Sequence, residues 1–322
     1  AARLASAQGD NLLARRYALQ ALRLVENGQS LAENEYIALG NLFYQAGLYA
    51  ELARAAQAGL ERFPVSWDLL LQQAMAQIAL HQPAEALPSL YAALASGAPK
   101  DETHLPNGES LQKLLIESLE TIGVWSTALE ERRALLAKIE TPALEDWYAL
   151  MHCANQARRL DVLEEACRRI LELSPEDATA RQYLGQAAEA RGDDRAAIEY
   201  FTEAIRLSPD QPEVWLSLVG AYRRLGQEAQ AVETLRAASQ AAPDCVEIHK
   251  ELGDAYSAQN ALTQALACYR RAAELSPTEA NLLNLGQTLL DLGRFEEARQ
   301  TLSPLYQGEP SGAHAPDLLY AY

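Results

Sequence analysis

Apolar residues recur along this chain at steps of three and four, the spacing of one face of an α-helix. Trp215, Leu218 and Tyr222 show it, and no run alternates in the manner of a strand. The helical patches are cut at a fixed interval. Pro175, Pro209, Pro243 and Pro277 stand 34 residues apart. Other positions move in step with them: Ala197, Ala231 and Ala265; Ala204, Ala238 and Ala272; and the bulkier Phe201, Leu235 and Tyr269. A period between 20 and 50 residues signals stacked supersecondary units rather than one closed globule.

Each unit reads as two helices. The first stops at a punctuation point held by Gly192, Gly226 and Asn260 in successive units, residues that tolerate the left-handed conformation closing a helix. The second carries the Ala-x3-bulky-x2-Ala stripe and ends before Ser-Pro or Ala-Pro, since proline cannot continue a helix. Small residues at two places let helices approach closely, and the large one between fills the gap. Phased this way, the chain holds eight full units at 33–66, 67–100, 109–142, 144–177, 178–211, 212–245, 246–279 and 279–312. Gly47, Gly123 and Gly293 punctuate three of them, while His81 and Arg158 stand where glycine is expected. Gly9, Ala14, Ala18 and Ala21 read as the back half of a further unit. Leu319 and Tyr320 read as core positions of another first helix, so a fragment of a longer chain is one reading of the ends. The one interruption, 97–108, is rich in Gly, Pro and charge and predicts a loop. A surface insertion is the simpler reading of it; the alternative is a hinge between sub-stacks 1–96 and 109–322 of a single solenoid spanning 1–322.

Trp215-x2-Leu218-x3-Tyr222 with Ala231, Ala238 and Pro243 resembles the tetratricopeptide repeat. So does Leu252-Gly253-x2-Tyr256 with Ala265, Tyr269, Ala272 and Pro277. The departures are Val219 and Met151 where the family prefers glycine, and the second helix around Leu163 and Cys167. The resemblance implies an all-α solenoid, a right-handed superhelix with first helices on the concave side. It implies a scaffold that holds a peptide or helix of another protein in that groove, with no catalytic role. Projecting the family's groove positions gives Asn41, Tyr44, Gln72, Lys113, Glu117, Tyr148, His152, Gln182, Gln186, Glu189, Arg223, Lys250 and Asp254, among others. Lys113 and Glu117, Tyr148 and His152, and Gln182 and Gln186 fall at matching positions of three successive units and predict one strip. The family's carboxylate clamp for chaperone tails is not expected, because Lys113 is followed by Glu117 and Lys250 by Asp254 where the clamp needs amides.

Charge narrows the partner. With 27 Lys and Arg against 44 Asp and Glu, the net charge is −17, which argues against nucleic acid and anionic membranes. Acids also outnumber bases in the projected groove, so a polar or net basic protein partner is expected. No apolar run is long enough to span a bilayer. No basic, apolar leader opens the chain, which favours the cytoplasm, or the periplasm past a removed signal. Candidate chemistry is thin. No glycine-rich phosphate loop, His-Glu-x-x-His or Cys-x-x-Cys appears. Cys153 and Cys167, without a second pair, are a poor metal signal and read as buried thiols, so no cofactor is expected. A regulatory segment of a larger enzyme or transcription regulator, and an envelope assembly factor, remain alternative readings.

Overall fold

The computed structural model describes residues 11–97 and 108–306. Among these residues every regular element is an α-helix, seventeen in chain order. Gly9, Pro310, Leu319, Tyr320 and nearly all of the 97–108 insertion lie outside them. The chain divides into two compact units, Ala1–Val162 and Leu163–Tyr322.

The first unit contains α1 (Asn11–Glu26), α2 (Glu33–Gln45), α3 (Tyr49–Leu60), α4 (Trp67–Ala79), α5 (Pro83–Ser96), α6 (Gly108–Thr121), α7 (Trp125–Leu136) and α8 (Leu144–Gln156). Each packs on the next in sequence, α5 on α6 included, and α2 also meets α4. The unit boundary falls inside α9 (Leu160–Leu173). The second unit continues with α10 (Ala178–Ala190), α11 (Asp194–Leu207), α12 (Pro212–Arg224), α13 (Glu228–Ala241), α14 (Val246–Ala258), α15 (Leu262–Leu275), α16 (Glu279–Asp291) and α17 (Phe295–Tyr306). From α10 on, these helices too pack consecutively. First helices therefore start at 33, 67, 108, 144, 178, 212, 246 and 279, within one residue of the unit starts read from the sequence.

The turn inside each pair is fixed by one residue. Gly47, His81, Gly123, Arg158, Gly192, Gly226, Asn260 and Gly293 all hold φ between 54° and 77°. An L-residue pays about 1 kcal/mol or more there because its β-carbon crowds the following carbonyl, and glycine does not. His81 keeps the conformation between α4 and α5, which pack on each other, and Arg158 adopts it as well.

Packing within a pair depends on a second glycine. A β-carbon on Gly185 would lie 2.5 Å from the Phe201 ring, one on Gly253 2.7 Å from the Tyr269 ring, and one on Gly286 2.5 Å from Leu302. Each pair is sixteen residues apart, first helix to second, and Phe201 is fully buried. Where the glycine is replaced the volumes trade: Val219 and Leu235 hold the same two registers in one core cluster. Gly40 is an exception. Its register partner Ala56 is small, and the gap is entered by the side chain of Gln72 from the next unit.

Linkers are tied down by the helices that follow them. Trp215 Nε1 donates to the Pro209 carbonyl at 2.8 Å. His249, one period later, places Nε2 2.8 Å from the Pro243 carbonyl, which requires the proton on that nitrogen. Asn281 donates to the Ser276 carbonyl at 2.8 Å. Caps complete the helix starts: Asp177 accepts from the Ala180 amide and Asp193 from that of Ala196.

One helix breaks the apolar rule. The seventh position of a first helix is Leu39, Leu115, Leu150, Leu184, Leu218, Leu252 and Leu285 elsewhere, but in α4 it is Gln73. Four residues on, Gln77 replaces residues such as Phe43, Tyr222 and Tyr256. The side-chain carbonyl oxygens of Gln73 and Gln77 are buried without a hydrogen-bond partner. The helix that follows, α5, carries Pro88 in its interior.

Candidate functional site

In the first unit the projected groove residues separate into structural and presented groups. Gln72 is buried, 2% exposed. Its amide nitrogen donates to the Ile37 carbonyl at 2.8 Å and to Asn41 Oδ1 at 2.9 Å, so it clips α4 onto α2 and is not offered to a partner. Asn41 is exposed but shares that clip. Tyr44 is exposed and stands edge-on to Tyr49, with ring centroids 6.1 Å apart. Lys113, Glu117 and His152 are exposed and Tyr148 is half-buried. The imidazole of His152 packs edge-on against the indole of Trp125 at 5.9 Å, which orients the ring while leaving it accessible.

Two clefts flank α6 and share Glu117. One, about 120 Å³, lies between α6, α7 and α8 and is lined by Lys113, Ile116, Glu117, Arg132, Leu135 and Asp146, among others. The other, about 270 Å³, lies between α4, α5 and α6 and is lined by Ile78, His81, Pro83, Leu114, Glu117, Ser118 and Thr121. Both combine an aliphatic floor with charged or hydroxyl rims. Beside them Arg132 is taken by Glu120 at 2.6 Å. On α4, burial and then the nearby Glu33 hold the Asp68 carboxyl above its usual range.

In the second unit Gln182, Gln186 and Glu189 are half-buried on α10. Several charges predicted for partner binding pair with one another. Arg224 reaches Glu189 at 2.8 Å and Asp194 at 2.6 Å. Arg223 reaches Glu251 at 2.6 Å. These pairs link α10 to α12 and α12 to α14 as a ladder along successive first helices. Asp254 accepts from the Tyr269 hydroxyl at 2.6 Å, which with burial pushes that phenol upward. Lys250 is half-buried beside them. The spacing gave no sign of the ladder, whose acid and base come from different units.

Cys153, Cys167 and Cys268 are buried, and Cys245 is half-buried. Burial pushes the Cys153 and Cys268 thiols up to about 11 and that of Cys167 to about 12, leaving them protonated and weakly nucleophilic near neutral pH. Among the described residues no three His, Cys, Asp or Glu gather as a metal site, and no helix is long and apolar enough to cross a membrane.

Helix hairpins packed in chain order, each closed by a left-handed residue, define an all-α solenoid. Residues 156–212 and 190–253 match tetratricopeptide repeat models, and 253–293 a TPR repeat model. The chain is a tetratricopeptide-repeat protein with many repeats. Over 98 residues it is 33% identical to the tetratricopeptide repeat-containing protein trd-1 of Caenorhabditis elegans, a stretch covering 30% of this chain and 11% of that protein. The solved C-terminal part of a TPR repeat-containing protein from Cytophaga hutchinsonii superimposes with a TM-score of 0.55 at 14% identity, covering 77% of this chain and 99% of that one. MamA matches with a TM-score of 0.46 at 19% identity, covering 52% of this chain and 96% of its own.

Proposed function

We propose that the chain is a protein-interaction scaffold that holds an extended or helical segment of a partner along its first helices. The observation behind this reading is the pair of clefts that meet at Glu117. The smaller brings Lys113 and Glu117, two residues projected for the groove, together with Asp146, and the larger shares Glu117. Tyr148 and His152, four apart on α8, add an aromatic ring and an imidazole on one helix face. Such a surface suits a peptide held by side-chain hydrogen bonds and one or two aromatic contacts. The net charge of −17 favours a partner of positive charge.

The test is a peptide-array screen followed by anisotropy titration of the best binder. Glu117→Lys and Tyr148→Ala should each weaken it about tenfold with the helical spectrum unchanged. Full affinity in both variants would remove the first-helix face as the binding surface.

A further inference from the structure

The first helix carries a surface unlike its surroundings. α1 turns Ala14, Ala18, Leu22 and Val25 inward, where they are buried. Beside that buried face Leu12, Arg16, Leu19 and Arg23 follow at steps of four, three and four, a single helical stripe in which Leu19 is half-buried against the core and the other three are exposed. Together with Arg15 and Gln20 they line an open cleft of about 590 Å³. Leu12 is 82% exposed, and the three arginines are exposed as well. The only acid of the helix, Glu26, is taken by Arg54 of α3 at 2.8 Å. Arg15, Arg16 and Arg23 have no carboxylate partner among the described residues. Elsewhere in the unit Arg132 pairs with Glu120, and Arg159 with Asp161 and Glu130, while Arg62, Arg133 and Arg158 are likewise without one but are not gathered on one helix.

We propose that this stripe docks an acidic amphipathic helix of a partner protein. Its carboxylates would face Arg16 and Arg23, and its apolar side chains would seat between Leu12 and Leu19. The alternation of leucine and arginine at helical spacing fits contact with a second helix, since apolar neighbours exclude water from the ion pairs between them. Charge excludes the obvious rivals. An anionic membrane gains about 1 kcal/mol per cation and is usually engaged by clusters of four to eight. Three arginines on a chain of net charge −17 fall short of that, and short of the phosphate contacts that hold nucleic acid. A partner helix needs only two or three local pairs. The site is separate from the first-helix face, whose acids favour a cationic segment, so this chain would hold partners of opposite charge at two places.

The experiment titrates the full chain with a fluorescent helical peptide of about twenty residues, built with Glu and Leu at the complementary spacing. A counterpart with Lys for Glu serves as control. The Glu peptide should bind at low salt and weaken steeply as salt rises. Arg16→Glu with Arg23→Glu should weaken it at least about tenfold, while Arg195→Glu, an exposed arginine of α11, should leave it unchanged. Circular dichroism checks that each variant is folded. No binding of the Glu peptide, equal binding by the double variant, or equal binding of the Lys peptide overturns the site. Two further results overturn the occupant. One is binding to phosphatidylserine vesicles that the double variant loses, which reassigns the stripe to a membrane. The other is concentration-dependent self-association of the chain alone that the double variant loses, which reassigns it to a second copy.

Discussion

Helices α4 and α14 occupy the same place in their repeats and both bury an apolar face, yet they differ at two inward registers. In α14 the two main core registers are Leu252 and Tyr256, both buried. The Tyr256 hydroxyl accepts from Arg236, whose guanidinium also lies over the ring at 5.4 Å. In α4 the same registers hold Gln73 and Gln77, each with a buried carbonyl oxygen that nothing satisfies. Both helices form and pack, so the repeat backbone tolerates either filling. The energetic consequence differs. A polar atom buried without a partner costs about 1–3 kcal/mol, whereas a buried tyrosine with its hydroxyl satisfied adds to stability. Add Pro88 inside α5, and the repeat built on α4 and α5 is the weak element of the first unit. Among the described residues, the repeats from α10 to α15 bury no side-chain oxygen or nitrogen without a partner.

The buried cysteines report on the units that hold the two helices. Cys153 lies in the first unit, Cys167 and Cys268 in the second, and Cys245 is half-exposed. A disulfide reagent at pH 8 should label Cys245 at once. The other three should react slower by a factor of about a thousand or more, because each waits for unfolding. With rising urea, Cys153 should become reactive before Cys268; the reverse order would break the comparison. The same thiols give a pH dependence. Burial raises them to about 11 or 12, so the folded chain keeps protons that the unfolded chain releases from pH 9. Their contribution to stability is therefore intact below pH 9 and lost between pH 9 and 12, measured as a falling urea midpoint.

Next in size, Phe201→Ala should cost about 3–5 kcal/mol in a denaturant titration, because the ring fills the space beside Gly185. A loss below about 1 kcal/mol would mean the glycine gap collapses rather than being filled. In the opposite direction, Gln73→Leu should stabilise by about 1–3 kcal/mol, by removing an unmet acceptor at a register that is leucine in the other repeats. Destabilisation would show that α4 is packed around the amide. The smallest effect belongs to the turns. His81→Gly and Arg158→Gly should each stabilise by a few tenths to about 1 kcal/mol, since both hold left-handed φ, while Asn260→Gly should change little.

Much of this was legible before any coordinates. The prolines at 34-residue spacing phased the chain, and the glycine register found His81 and Arg158 as turn residues although neither is glycine. Position within a unit also told which residues of α6 and α8 face outward. What it could not tell was pairing between units. Gln72 has the phase of a groove residue, and its burial follows from Gly40 and Ala56 being small one repeat earlier. Glu251, Arg224 and Glu189 likewise look unpaired one unit at a time and find their partners only when neighbouring units stack. The basic stripe of α1 was missed because net charge averages it away: three arginines vanish inside a total of −17.

The Gln72 side chain lodged against Gly40 also bears on how interchangeable the repeats are. Where a glycine is filled from within its own unit, as Gly185 is by Phe201, the unit carries its own plug and can be moved, duplicated or deleted as a cassette. The 33–66 unit cannot, because its plug belongs to its neighbour. Transplanted alone it would arrive with a hole and leave an unaccommodated amide behind. In any chimera or shortened version of this chain, 33–66 and 67–97 are therefore one indivisible block, while cuts on the 34-residue period between 178 and 275 break the Arg224–Glu189 and Arg223–Glu251 pairs but leave the Gly185 and Gly253 gaps filled.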